Sequence, residues 1–228
     1  MIVTDRMVFL HLHKSGGTFV NALLLRCVSS ARQIGYHLPY RELPEIYRNF
    51  PVVGTVRSPW AYYVSWFHFQ RSQRNPNILF QICSNGGRLG FKETITNLLG
   101  LSADEPRLGL LEEGVPETFT NHGLNLTKQC VAELRQRGLG FYSFLFERLY
   151  AGACQPTILR VECLREELRA ALLRLGHLPN ECAERFLDET PPLNVSSHDA
   201  PSVYFDDRLA ALVAERDRRV VERFSYTL

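Results

Sequence analysis

Lys14-Ser15-Gly16-Gly17-Thr18 stands between a largely apolar run, residues 7–12, and an amphipathic stretch at 19–27. A lysine, two adjacent glycines and a threonine between a strand-like and a helix-like pattern read as a tight turn opening onto a helix N-terminus. Such a turn aims backbone N–H groups and the positive end of a helix dipole at one place, which favours a phosphate-like anion. The glycines let the backbone approach the anion closely, Lys14 adds a point charge, and Thr18 adds a hydroxyl. The chain has three lysines against twenty-three arginines, so a lysine in this loop points to a compact, titratable charge.

A second group lies further on. Residues 51–57 form a β-branched, buried-type strand pattern ending in Arg57, and Ser65 follows eight positions later. The carboxyl end of a strand is where open α/β sheets bind ligands, and Ser65 falls about two turns into the adjoining helix. Arg57 and Ser65 together suit a second phosphate some distance from the one at Lys14. Phe9 and His13 occupy the places of the two Walker A glycines, and a Walker B strand would end in Asp rather than Arg57. The pattern therefore suits a ligand with an extra phosphate and a reaction not organised around magnesium.

Proton transfer would fall to a histidine, whose ordinary pKa lies near neutrality. His37, on the segment after the first helix, is the leading candidate for a base. His11 and His13 share a face of the first strand, a spacing that can ligate metal; without a third ligand at suitable spacing they read as core or loop-supporting groups. His68 reads as a helix-surface residue, His122 as a possible acceptor contact, and His177 and His198 as surface or helix-end residues.

The elements that must position these groups alternate. Strands are expected at 7–13, 51–57 and 156–162, with a short extended piece at 33–38. Helices are expected at about 18–27, 60–71, 130–137, 141–150, 164–175, 179–187 and 206–224. That order implies an α/β fold with a parallel sheet and crossover helices. The pattern loosens over residues 72–127, which read as a largely helical insertion or lid on a single domain spanning 1–228. Length and a 45% hydrophobic composition suit one such domain, and a net charge of +2 argues against a dedicated nucleic-acid binder. Apolar runs are too short for a membrane span, and no signal-peptide pattern opens the chain, so a cytoplasmic protein is expected. The six cysteines include no CxxC pair and read as reduced thiols. Asn125 and Asn194 stand in glycosylation sequons, which carry no weight without a secretory context.

The two groups, in this order and separation, resemble the sulfotransferases that use 3′-phosphoadenosine 5′-phosphosulfate (PAPS), nearer their bacterial and carbohydrate-type branch. Residues 11–19 look like that family's 5′-phosphosulfate loop, and residues 53–59 continuing to 65–67 look like its 3′-phosphate motif. Weaker likeness runs through Arg160-Val161-Glu162-Cys163-Leu164 and the tail 194–226. The chain departs from the family at His13, where proline is common, and lacks the C-terminal glycine-rich motif of the cytosolic branch.

The resemblance implies a P-loop-like three-layer fold with a central parallel sheet. It implies metal-independent transfer of the sulfuryl group from PAPS to a hydroxyl or amine of a small-molecule, lipid or carbohydrate acceptor, releasing 3′,5′-adenosine bisphosphate. Ser15, Gly16, Gly17 and Thr18 would hold the 5′-phosphosulfate and Lys14 would neutralise the leaving oxygen. Arg57 and Ser65 would hold the 3′-phosphate, and His37 would serve as base. Phe19 would contact adenine or else pack in the core. The alternatives are an ATP-dependent small-molecule kinase and an inactive nucleotide-binding protein of the same fold. Residues 72–127 carry four basic and six acidic side chains, which leans the acceptor towards a neutral or partly apolar molecule.

Overall fold

The computed structural model describes residues 1–121, 123–194 and 196–228, and the chain falls into two compact units. The first unit takes Met1–Arg57, Thr120–Asn125 and Glu147–Val195; the second takes Ser58–Phe119, Leu126–Phe146 and Ser196–Leu228. The division does not follow the expected insertion, because the second unit also claims chain on either side of residues 72–127.

A five-stranded sheet forms the heart of the first unit. Its strands are β1 (Ile2–Val3), β2 (Val8–Leu10), β3 (Arg32–Gln33), β4 (Val52–Val56) and β5 (Thr157–Arg160), in the spatial order β3-β1-β2-β4-β5. β2, β4 and β5 are parallel, as their β-branched and apolar runs predict, but β1 pairs antiparallel with both β2 and β3. The sheet is therefore mixed, not wholly parallel. Two-residue β1 and β3 are too short for an alternation pattern to show, so they escape a reading based on periodicity.

One face of this sheet, carrying Phe9, Val53 and Leu159, shares a core with α1 (Gly17–Cys27), α8 (Leu164–Arg174) and α9 (Glu181–Glu189). Val20, Leu23 and Leu24 of α1 and Leu168 and Leu172 of α8 have no exposed surface, at helical spacing. A disulfide joins Cys27, at the end of α1, to Cys182, near the start of α9, with the Cα atoms 5.3 Å apart. This corrects the expectation of six reduced cysteines. Partners 155 residues apart are paired by helix packing, which no local spacing reveals. Cys83, Cys130, Cys154 and Cys163 remain thiols.

The second unit is helical. It comprises α2 (Pro59–Ser72), α3 (Ile78–Cys83), α4 (Phe91–Leu99), α5 (Glu105–Gly114), α6 (Lys128–Arg137), most of α7 (Phe141–Tyr150), α10 (Asp207–Arg216) and α11 (Arg218–Phe224). Its interior holds Tyr62, Tyr63, Trp66, Phe80 and Tyr142 with essentially no exposed surface. Asp217, equally buried, accepts hydrogen bonds from the Tyr63 hydroxyl at 2.6 Å and the Ser143 N–H at 2.7 Å. No helix among the described residues is long and apolar enough to cross a membrane.

Back in the first unit, one side chain serves the backbone near the end of β4. The Tyr150 hydroxyl accepts from the Thr55 N–H and donates to the Thr55 carbonyl, both at 2.9 Å, so it serves both backbone groups of a residue at the end of β4. Its ring lies where a β-carbon on Gly54 would be, 2.2 Å from that position, so the glycine within β4 is the space for this tyrosine. Tyr150→Phe keeps the ring and orphans both Thr55 groups. It should cost about 1–3 kcal/mol in denaturant unfolding, with native circular dichroism unchanged. An unchanged midpoint would refute the assignment.

Candidate active site

Beyond Leu10 the chain leaves β2 and turns through residues 13–16 into α1. Two residues of that turn adopt left-handed backbone: Lys14 at φ 54° and Gly16 at φ 74°. Glycine takes that conformation freely, whereas a lysine there needs its surroundings to hold it. The Ser15 N–H donates to the Leu12 carbonyl at 3.4 Å and the Phe19 N–H to the Gly16 carbonyl at 3.0 Å. Gly16 is the N-cap of α1, so the amides of Gly17 and Thr18 belong to the first turn, whose N–H groups have no partner within a helix.

Each glycine of the turn has a packing reason. A β-carbon on Gly17 would sit 1.9 Å from His11 Cδ2, so the helix starts directly on the His11 imidazole. A β-carbon on Gly16 would sit 3.0 Å from Leu164 and 3.2 Å from Val161. The turn after β5 thus borders the loop. Asn21, one turn into α1, donates from its amide to His11 Nδ1 at 3.2 Å and ties the helix to the same ring.

Arg57 follows the last residue of β4, and its guanidinium donates to the Lys14 carbonyl at 3.4 Å. Lys14 and Arg57, far apart in sequence, therefore lie side by side at the carboxyl ends of parallel β2 and β4. Burial, and then the charge of Arg57, push the Lys14 ammonium down to about 8. Two cations pressed together at a helix N-terminus are an arrangement that an anion relieves.

His37 is 5% exposed and takes left-handed backbone at φ 51°. Its Nδ1 lies 2.7 Å from the His11 carbonyl. A carbonyl only accepts, so Nδ1 carries the proton and Nε2 is the lone-pair nitrogen of the neutral ring. Around it sit Tyr36, His11 and His13, with ring centroids 4.2, 4.4 and 5.3 Å away. Burial above all lowers His37 to about 4; the hydrogen bond to His11 opposes it, and the amino group of Met1 and buried Arg148 act with it. Burial, and then His37, hold His11 and His13 well below the ordinary imidazole value. His37 is thus neutral at physiological pH but a weaker base than a histidine titrating between 6 and 7.

The remaining sequence candidates fall as follows. Phe19 is 5% exposed, with its ring against Phe186 at 5.1 Å and the Arg165 guanidinium over it at 5.0 Å, which is a core position. Arg165 is fixed in turn by the Leu187 and Thr190 carbonyls. Ser65 belongs to the second unit, is 3% exposed, and faces the Ser196 hydroxyl at 3.4 Å. His68 packs against Tyr204 and His198, and His177 against the Thr4 hydroxyl. His122 lies outside the described residues. Sequence reasoning missed Asn21, Arg148 and Asn125; an isolated Asn or Arg inside a helix or loop carries no pattern that separates it from surface chemistry.

No family model matches the chain, and a search of curated proteins finds no match.

Three histidines held neutral make the first unit acid-sensitive. Between about pH 6.5 and 4 the unfolded chain binds protons that folded His37 does not, so stability falls as pH falls through that window. His37 alone contributes on the order of 3 kcal/mol, fully present above pH 6.5 and lost below about pH 4. Asp217 works the other way: burial raises its carboxyl to about 6, so it favours the folded state as pH falls from 6. The depressed imidazoles and the buried amino group of Met1, lowered to about 5, outweigh Asp217, so urea midpoints should fall steadily from pH 7 to 4.5. A flat profile would show that the imidazoles are not buried neutral.

Proposed function

We propose that this protein is a PAPS-dependent sulfotransferase with a P-loop-like fold. The observation that carries the reading is the Lys14–Arg57 pair at the N-terminus of α1, framed by two glycines that leave no room for side chains. The α/β architecture and the strand-turn-helix order around Lys14 support it. A phosphosulfate fits this place because the first-turn amides and Lys14 meet there, with Arg57 beside them for the second phosphate. Ser65 stands in the second unit, and its 3′-phosphate role rests on the motif spacing alone.

The acceptor oxygen attacks sulfur, and the bond from sulfur to the oxygen bridging it with the 5′-phosphate breaks in line. The sulfuryl group passes to the acceptor, the bond's electron pair stays on the bridging oxygen, and 3′,5′-adenosine bisphosphate leaves. Lys14 stabilises the charge that grows on that oxygen. The acceptor proton goes to Nε2 of neutral His37 and then to solvent. The balance of residues 72–127 favours a neutral or partly apolar acceptor, a lipid or an uncharged sugar among them. With Cys27 joined to Cys182, cysteine usage no longer argues for the cytoplasm.

Three measurements test the reading. Calorimetry without metal should give far tighter binding of 3′,5′-adenosine bisphosphate than of 5′-AMP, and Arg57→Ala should remove about 1.5–3 kcal/mol of it. Equal affinities would refute the second phosphate site. Lys14→Met should still bind PAPS but lose several orders of magnitude in turnover, because the missing interaction grows in the transition state. Retention of more than about a tenth of kcat would leave under 1.4 kcal/mol for that role.

The pH profile of kcat/KM follows from the two titrations. It should be flat from about pH 5 and decline above about pH 8 as Lys14 loses its proton. Lys14→Arg, which stays charged, should lose the alkaline limb whatever its absolute rate. A surviving limb would assign that titration elsewhere.

A further inference from the structure

We propose that Asn125 is a positioning residue for His37, holding the backbone conformation from which the imidazole reaches the His11 carbonyl. Asn125 is 4% exposed and lies in the first unit at the end of Thr120–Asn125, while the chain on both sides of that segment belongs to the second. Its side-chain oxygen accepts from the Thr120 N–H at 2.7 Å. Its amide nitrogen donates to the Thr120 carbonyl at 2.7 Å and to the Tyr36 carbonyl at 2.8 Å. Both amide protons are thereby used: one closes the loop on itself, the other clamps the residue before His37.

That clamp falls where the backbone needs it. His37 has φ 51° and Asn125 φ 55°, a region uncommon outside glycine, though asparagine tolerates it best among the others. A non-glycine residue persists there only when its surroundings over-determine it. For His37 the restraints are the Tyr36 carbonyl on one side and the imidazole bond to His11 on the other. If the first is released, the chain can relax towards ordinary dihedrals and swing the ring off the His11 carbonyl. The sequon at Asn125 is thus read structurally, since glycosylation of this nitrogen would break its hydrogen bonds.

The titratable groups around His37 are His11, His13 and Tyr36, whose rings lie against it, and Arg148 and the amino group of Met1, whose charges bear on it. The rate arm of the test rests on the reading of His37 as base; the spectroscopic arm does not. Asn125→Asp keeps size and the bond from Thr120 N–H but turns a carboxylate oxygen towards two carbonyl oxygens. Asn125→Ala removes the amide altogether.

In the full chain labelled with ¹⁵N-histidine, wild-type His37 should show the Nδ1–H tautomer and titrate far below an ordinary histidine. Asn125→Asp should show mixed tautomers and a midpoint moving up towards about 6.5. Turnover should fall at least tenfold, with the Kd for 3′,5′-adenosine bisphosphate within about twofold of wild type. A merely structural Asn125 would lower the melting temperature of both variants yet leave the tautomer and titration of His37 unchanged, and that overturns the proposal. A shifted tautomer with unchanged turnover supports the positioning role and removes the base assignment instead. Should neither variant fold, the wild type decides through the scalar coupling between Asn125 Nδ2 and the Tyr36 carbonyl carbon. Its presence supports the clamp, and its absence removes it.

Discussion

The imidazole of His11 occupies the space that any side chain on Gly17 would need, and the arrangement of the first unit follows from that contact. A helix that begins directly on a ring at the end of a strand leaves the intervening turn little freedom. Lys14 and Gly16 must then take left-handed backbone, and the start of α1 is brought over the sheet edge where Arg57 emerges. The same residue works through its backbone, since the His11 carbonyl fixes the tautomer of His37. One histidine therefore sets the entry of the helix and the orientation of the candidate base.

Charge in this region is arranged by contrast. Lys14 and Arg57 are kept close, at an electrostatic cost visible in the lowered ammonium of Lys14. Three imidazoles nearby are kept neutral by burial, so the positive potential is confined to the loop. A charged histidine cluster behind the loop would add repulsion to an already strained pair. Burial of the histidines is what makes two adjacent cations tolerable in a partly dry site.

The parts of this structure legible in the sequence are those with long-range patterning. The parallel strands β2, β4 and β5, helix α1 and the place of Arg57 at a strand end follow from buried runs, glycine punctuation and the rule that ligands meet strand ends. The closeness of Arg57 to Lys14 does not follow, since the sequence puts the Arg57 phosphate site some distance from the lysine. Helix boundaries mostly agree within a residue or two, although the expected helix over 206–224 is broken at Asp217, which a buried tyrosine and a helix N-terminus engage. What escaped depends on tertiary contacts between single residues. β1 and β3 are two residues long, Cys27 finds Cys182 only because α1 packs on α9, and Tyr150 reveals its role only through the gap at Gly54. Phe19 shows the limit from the other side: an aromatic at a helix start suits a ligand or a core, and only its neighbours Phe186 and Arg165 tell which.

The Cys27–Cys182 bridge has a topological consequence. Both cysteines lie in the first unit, yet the loop it closes contains every residue from 28 to 181, and with it much of the second unit's chain. The mostly exposed stretch 116–121 lies inside that loop. A protease that cuts there opens the ring into two arms without releasing either, because the bridge holds both on the same pair of helices. The strand order and the Lys14 turn would stay covalently assembled through damage that would otherwise divide the protein. Only a cut outside the ring, before Cys27 or after Cys182, sheds a piece of the chain.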